Sequence, residues 1–506
     1  MRNPFYNQRT LNQISNRVGL SHFPKDRYIH FVGIGGIGMS AIAQILLNRG
    51  YLVSGSDQKD SLNTIRLRDQ GAKIFIGHKA ENIREADCIV VSSAIAKDNP
   101  ELTGAKENDI TIYPRAQMLS ILMDESKHRI AIAGTHGKTT TSAMTSMVLE
   151  QAGVSPTFLV GGVLNEKGSN AGLGGTEYFV AEADESDSSI LLLNPNILVI
   201  TNIEADHLDH FENLEAIMKV FEACVANLPK EGLLVLNAEH HGTKELLKRC
   251  TEKKILPENV VTFGFEHGKF QAKNLRSEGL NTKFSLVDSE TKTLQEIELS
   301  IPGEHNVLNA MSVIAVMKHL GISFSPMLSG LKRFTGTKRR FQIIGETSGV
   351  LIVDDYAHHP SEISATLTAA RQGFNPTKLW AIFQPHRFTR TYFFEQGFAE
   401  SLQLADEVIV TDVYAASEAP IEGVTGENIT RRITDKPVHY FPKKDEIGLY
   451  LSKILKPGEM AVFMGAGDIY AVAKDLHHRL VQKSFAQIQS LDHRAGQDTD
   501  VSNKIA

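Results

Sequence analysis

Short apolar runs recur along the chain, and most end in glycine or an acid before a stretch with helical spacing. Tyr28-Ile29-His30-Phe31-Val32 is the first, and the glycine turn Gly33 to Met39 comes directly after it. A helix then runs to Asn48 and stops at Gly50. Strand Tyr51 to Gly55 closes on Ser56-Asp57, and Ile74-Phe75-Ile76 and Asp87 to Ser92 continue the alternation. Helix 115–124 ends at the polar turn Asp124 to Lys127, where the pattern restarts. Strands then fall at His128 to Ala133, Tyr178-Phe179-Val180, Ile197 to Asn202 and Leu233 to Asn237, with helices at 142–152 and 213–227. Residues 240–300 are polar, with β-like runs near Val261-Thr262-Phe263 and Phe284-Ser285-Leu286, which predicts a smaller subsheet without chemistry. Pro302 opens an amphipathic helix reaching Leu320, and residues 330–340 read as a basic linker. Four further strands complete the pattern: Val350 to Val353, Leu379 to Phe383, Glu407 to Thr411 and Met460 to Met464. Strands alternating with helices predict an α/β protein, here in three domains at 1–126, 127–336 and 337–485, with a polar tail over 486–506.

Composition narrows this picture. A chain of 506 residues is long enough for about three domains. Hydrophobic residues at 42% and charged residues at 22% suit a globular protein. A net charge of −6 argues against nucleic acid or an anionic membrane as the main partner. Cys88, Cys224 and Cys250 have no paired spacing, so they read as reduced thiols in a cytoplasmic protein. No apolar run is long enough to span a membrane or act as a signal peptide.

Two turns carry candidate chemistry. Ala133-Gly134-Thr135-His136-Gly137-Lys138-Thr139-Thr140-Thr141 stands between a strand and a helix. Glycines let backbone N–H groups approach a polyphosphate, and the helix N-terminus adds partial positive charge. Lys138 can reach outer phosphates and Thr139 can offer a hydroxyl to magnesium. Ile132 occupies the place where the general phosphate loop has its first glycine. The earlier turn, Gly33, Gly35, Gly36 and Gly38 with Asp57 about 20 residues on, fits a dinucleotide site in its simplest reading. Alone, it says only that a phosphate-bearing ligand can approach this helix end.

Strand ends supply the remaining candidates. Glu182 to Asp187 holds four acids, with Glu182 a sensible magnesium ligand; alone, the run also reads as a solvated acidic loop. His207 lies in a second such cluster after Asn202. Asn306 and Asn309 share one helix face and can read a base, or one can cap the helix. An arginine in the basic linker can offset charge on a transferred phosphoryl group.

Taken in order, these motifs resemble the Mur ligases of peptidoglycan synthesis over roughly residues 28–480. The motifs are Gly33 to Met39, Gly134 to Thr140, Glu182 to Asp187, Asn202 to His207, Asp355-Tyr356-Ala357-His358-His359-Pro360 and Phe383-Gln384-Pro385-His386-Arg387. The resemblance implies a Rossmann-like UDP-binding domain, a central P-loop ATPase-type domain and a Rossmann-like C-terminal domain. It implies ATP-driven ligation of L-alanine to the lactyl carboxylate of UDP-N-acetylmuramate through an acyl phosphate. Gly33, Gly35, Gly36, Ile37, Gly38, Met39 and Asp57 would bind the UDP-sugar, which displaces the dinucleotide reading. Gly134, Thr135, His136, Gly137, Lys138, Thr139 and Thr140 would bind ATP, with Asn306 and Asn309 at the adenine side. Thr139, Glu182 and His207 would hold Mg2+. Arg340, Asp354, Asp355, His359, Arg387 and Arg390 would act from the third domain. The ligase would work in the cytoplasm as a monomer or homodimer. A ligase adding a recycled tripeptide to the same UDP-sugar, a folyl-polyglutamate-type ligase, an NAD-dependent oxidoreductase and a non-catalytic nucleotide-binding regulator are the competing readings.

Overall fold

The computed structural model describes residues 19–92, 94–183, 189–206 and 211–485. His207, Asp184, Glu185 and Asp187 fall outside these residues, as does the tail over 486–506. The chain divides into two compact units. The first comprises residues up to Leu275, Lys283–Ser300 and Asn306–Thr337; the second comprises Arg276–Thr282, Ile301–His305 and the chain from Lys338 onward.

The first unit opens with β1 (Tyr28–Val32), β2 (Leu52–Asp57), β3 (Lys73–Ile76), β4 (Ala86–Val91) and β5 (Thr111–Pro114). They form a parallel sheet in the order β3-β2-β1-β4-β5. The chain first builds outward from β1 on one side and then crosses to the other. The glycine turn therefore sits at the switch point, where such sheets open a crevice for ligands.

The second sheet contains β6 (His128–Ala133), β7 (Thr157–Leu159), β8 (Ala171–Gly172), β9 (Tyr178–Glu182), β10 (Ile197–Ile200), β11 (Leu233–Asn237), β12 (Asn259–Gly264), β13 (Phe270–Glu278), β14 (Asn281–Asp288) and β15 (Leu294–Leu299). Its order is β15-β14-β13-β12-β11-β10-β6-β9-β7-β8. β6 lies between β9 and β10, parallel to both, so the carboxyl ends of these three strands adjoin. The helix Lys138–Gln151 comes after β6 and is buried along most of its length despite a Thr- and Ser-rich sequence. Three of its hydroxyls are satisfied within the helix: Ser142, Thr145 and Ser146 donate to carbonyls four residues back at 2.7–2.9 Å. One hydrophobic cluster runs from Phe31 and Ile42 through Met118 and Leu122 to Ala131, Leu198 and Phe221.

The second unit holds β16 (Gln342–Thr347), β17 (Val350–Asp355), β18 (Lys378–Phe383), β19 (Glu407–Thr411), β20 (Val438–Phe441) and β21 (Glu459–Met464), in the order β16-β17-β21-β18-β19-β20. All neighbours are parallel except β16 and β17.

Three expectations are corrected. The segment 240–300 begins with a helix, His241–Lys253. Its buried apolar stripe is only Leu246 and Cys250 among lysines, glutamates and an arginine, too narrow to stand out in the sequence. The strands after that helix extend the ten-stranded sheet and form no separate subsheet. The basic linker is shorter than 330–340, because the helix Phe324–Arg333 takes its first residues. Gly330 in that helix lets it approach Val148, whose Cα lies 2.7 Å from where a Cβ at Gly330 would stand.

Candidate functional site

The first turn is held from the end of β2. The carbonyl of Ser56 accepts from the N–H groups of Gly33 and Ile34 at 2.8 and 2.9 Å. Gly33 has φ +81°, a conformation that favours glycine. Asp57 Oδ2 accepts from Gly35 N at 2.9 Å, and a Cβ on Gly35 would stand 2.8 Å from that oxygen. Gly36 is the N-cap of the helix Ile37–Asn48, whose first turn contains no acid. Ile37 is exposed and Met39 is buried. Arg115 Nη1 lies 3.3 Å from the position of a Cβ on Gly38. A positive helix end and an arginine make a seat for an anion.

The second turn is held from the end of β10. His136 N donates to Asn202 Oδ1 at 2.8 Å, and Asn202 Nδ2 and Thr201 Oγ1 donate to the His136 carbonyl at 3.0 and 2.6 Å. Thr135 N donates to the Asn202 carbonyl at 3.1 Å, and Glu204 N donates to Thr135 Oγ1 at 2.9 Å. Gly134 and Gly137 have φ +123° and +83°. A Cβ on Gly134 would meet Thr201 Oγ1 at 2.2 Å, and one on Gly137 would meet Asn309 Oδ1 at 2.6 Å. Asn309 Nδ2 donates to Asn306 Oδ1 at 3.2 Å, so both buried amides adjoin the loop.

Lys138 Nζ donates to the carbonyls of Gly134 and Thr135 at 2.6 and 3.1 Å. Thr139 Oγ1 donates to Glu182 Oε1 at 3.0 Å, and Gly161 N donates to Glu182 Oε2 at 2.6 Å. A hydroxyl and a carboxylate at the end of a phosphate loop form the hard oxygen set that suits magnesium. Thr140 is buried in the first turn of the helix. Glu204 has no role assigned by any motif, yet its carboxylate lies 3.4 Å from His136 Nε2 and 3.2 Å from His240 Nε2.

Within the second unit, Asp355 is clamped by backbone: it accepts from Phe341 N at 2.7 Å and Ala357 N at 2.8 Å. Burial pushes its carboxyl up to about 6, against the pull of Arg340 and these two N–H groups. Burial likewise raises Asp354, which pairs with Arg339 at 3.3 Å. Arg339 also lies over the rings of Tyr356 and Tyr470. Arg340 lies over Tyr356 and 3.4 Å from Glu362. Arg339, Phe341 and Arg387 adopt φ between +45° and +69°, backbone strain of the kind that gathers at functional sites. His359 caps the helix Pro360–Phe374 and meets Phe394 edge-on. Arg387 begins the helix Phe388–Leu402, its N–H bonded to the Tyr414 carbonyl at 2.8 Å. Arg390 Nη1 lies 3.3 Å from His386 Nδ1, and the His386 ring stacks on Tyr414. The residues named from the third domain thus gather at the ends of β17 and β18. Arg339 and Glu362 join them unannounced by any motif.

A phosphate loop with a lysine and a carboxylate-paired threonine, on an α/β sheet, defines a nucleotide-binding protein. The chain belongs to the Mur ligase family. The model of its catalytic domain matches residues 28–127, that of the Mur ligase middle domain residues 132–317, and that of the Mur ligase glutamate ligase domain residues 339–467. The chain is 44% identical over 462 residues to a UDP-N-acetylmuramate–L-alanine ligase of Geobacter sp. (strain M21), covering 90% of this chain and 98% of that one. It is 46% identical over 453 residues to an enzyme of the same name from Pelobacter propionicus, covering 88% and 97%. Among solved structures, the UDP-N-acetylmuramate-alanine ligase of Thermotoga maritima matches with TM-score 0.74 at 34% identity, covering 90% of this chain and 100% of that one. A murein peptide ligase from Psychrobacter arcticus matches with TM-score 0.65 at 26% identity, covering 90% and 98%.

Proposed function

We infer that this chain ligates L-alanine to the lactyl carboxylate of UDP-N-acetylmuramate at the expense of ATP, in peptidoglycan precursor synthesis. The observation that carries this reading is 44–46% identity, across about nine tenths of the chain, to relatives of that name. The cradle of Lys138, Thr139 and Glu182 supports it.

The chemistry explains why a nucleotide is needed. A carboxylate is a poor electrophile. Its oxygen takes the γ-phosphoryl group from ATP, ADP leaves, and the acyl phosphate carries a good leaving group. The amine of L-alanine then attacks the acyl carbon, phosphate departs, and the amine loses a proton as the amide forms. Lys138 and the loop N–H groups offset phosphate charge, and positioning lowers much of the remaining barrier. Asn306 and Asn309 serve the adenine side. Thr139 and Glu182 would hold magnesium, together with His207; bound there, the ion offsets further charge on the phosphates. Arg340, Asp354, Asp355, His359, Arg387 and Arg390 organise the alanine end. The glycine turn Gly33 to Gly38, with Ile37, Met39 and Asp57, takes the UDP-sugar. An acyl phosphate hydrolyses when wet, so the reaction needs water kept out.

No helix among the described residues is long and apolar enough to cross a membrane. Cys88, Cys224 and Cys250 are buried and are in no disulfide. A cytoplasmic site of action fits both the thiols and the nucleotide substrates.

The test is phosphate release from ATP with UDP-N-acetylmuramate and either L-alanine or the tripeptide L-Ala-γ-D-Glu-diaminopimelate. Release with L-alanine alone is expected. Release with the tripeptide alone would place the chain beside the murein peptide ligases.

A further inference from the structure

Beneath the first glycine turn lies a polar cluster that phosphate binding does not explain. Glu101, in the helix Pro100–Glu107, is fully buried. Its Oε2 accepts from Ser56 Oγ at 2.5 Å and lies 3.1 Å from His78 Nδ1. Its Oε1 accepts from Asn82 Nδ2 at 2.6 Å and lies 3.7 Å from Nε2 of buried His30. Burial alone would raise this carboxyl, yet His30, Ser56 and Asn82 together hold it down at about 2, so it stays ionised. The cluster is joined to the turn directly, because the Ser56 carbonyl is the acceptor for Gly33 and Ile34.

The proton arrangement can be worked out by counting donors. Ser56 Oγ has one hydrogen, and it points at Glu101 Oε2. His78 Nδ1 then faces two acceptors, Glu101 Oε2 and Ser56 Oγ at 2.9 Å, so it must carry a hydrogen. In the neutral ring Nε2 is left as an acceptor, and it has no hydrogen-bond partner among the described residues. The His78 side chain is 12% exposed and stands just past the carboxyl end of β3, on the ligand-facing edge of the sheet.

We propose that Glu101 is a positioning residue for the nucleoside end of the sugar nucleotide: it locks His78 in the Nδ1–H tautomer so that Nε2 accepts one hydrogen bond from the uridine. This rests on the first domain binding a UDP-sugar. Uridine offers two kinds of donor, the uracil imide N–H and the ribose hydroxyls. A purely structural role for Glu101 would hold the fold together without any effect on which uridine analogue binds.

The experiment titrates the full chain with UDP, N3-methyl-UDP and 2′-deoxy-UDP, alongside 15N NMR of His78. The ring is expected to carry its hydrogen on Nδ1. One analogue is expected to bind about tenfold more weakly than UDP, the worth of one hydrogen bond. Weakening by methylation assigns the contact to uracil, and weakening by deoxygenation assigns it to ribose. His78→Phe should bind that analogue and UDP alike. Glu101→Gln should raise KM for UDP-N-acetylmuramate about tenfold while KM for ATP and kcat stay within about twofold. An Nε2–H tautomer, or wild-type protein binding all three nucleotides equally, would overturn the proposal even if Glu101→Gln failed to fold. Wild-type protein that binds no UDP would overturn it together with the UDP-sugar reading.

Discussion

The turn after β1 and the turn after β6 both set left-handed glycines between a buried strand and a helix N-terminus. They differ in the groups that brace them and in the cation each one offers a phosphate. The first is braced by acids: Asp57 takes the Gly35 N–H, and Glu101 holds Ser56 beneath the turn. The second has its backbone braced by neutral groups, Thr201 and Asn202, and its acids face side chains instead: Glu182 meets Thr139, and Glu204 meets His136. A lysine stands immediately after the second turn, whereas the first is approached by Arg115 from another helix. Glycine spacing alone therefore does not choose the ligand. The groups delivered by neighbouring strand ends differ, and on the proposed reading the lysine, hydroxyl and carboxylate of the second turn would suit a nucleoside triphosphate with its metal.

Five changes would break or sharpen this contrast. Lys138→Ala should lower phosphate release by about 10²–10³-fold, as expected for loss of a preorganised charge, while UDP-N-acetylmuramate binding stays unchanged. Acid should loosen the first turn before the second. Folding lowers the Glu101 pKa from its ordinary 4.5 to about 2, so its stabilisation is complete above about pH 4.5 and is lost as pH falls through about 2. That loss amounts to about 3 kcal/mol, and denaturant melts of wild type and Glu101→Gln should converge toward pH 2. Gly137→Ala should cost about 1–3 kcal/mol, since it forces φ +83° on alanine and meets Asn309. Gly36→Ala, at φ −61° with its nearest neighbour 3.4 Å from the new Cβ, should stay within about 0.5 kcal/mol, both glycine variants being compared with wild type in denaturant melts. Asp57→Asn should raise KM for the UDP-sugar about tenfold and leave KM for ATP alone, because Gly35 loses a charged acceptor.

The phosphate loop was legible because a continuous motif specifies it, and Glu182 because a strand end in the same sheet delivers it. The parallel sheets were legible from strands with continuous apolar runs, such as Leu233–Asn237 and Ile197–Ile200, buried on both faces. The helix His241–Lys253 was not, because of its buried residues Gly242, Thr243, Leu246 and Cys250 just the last two carry apolar side chains. Nor was the antiparallel β16, whose residues are all only partly buried or exposed. His78, Asn82 and Glu101 carry no local signal either. They meet only because the chain returns across β1 between β3 and β4, and no spacing in one dimension records that return.

The division of labour between the turns is tested most directly by calorimetric titration of UDP-N-acetylmuramate into protein saturated with a non-hydrolysable ATP analogue. Two separate seats predict that the UDP-sugar binds with one-to-one stoichiometry and that rising analogue concentration does not weaken it. Competitive displacement, with apparent affinity falling in proportion to analogue concentration, would mean that both nucleotides share one turn and would contradict the assignment.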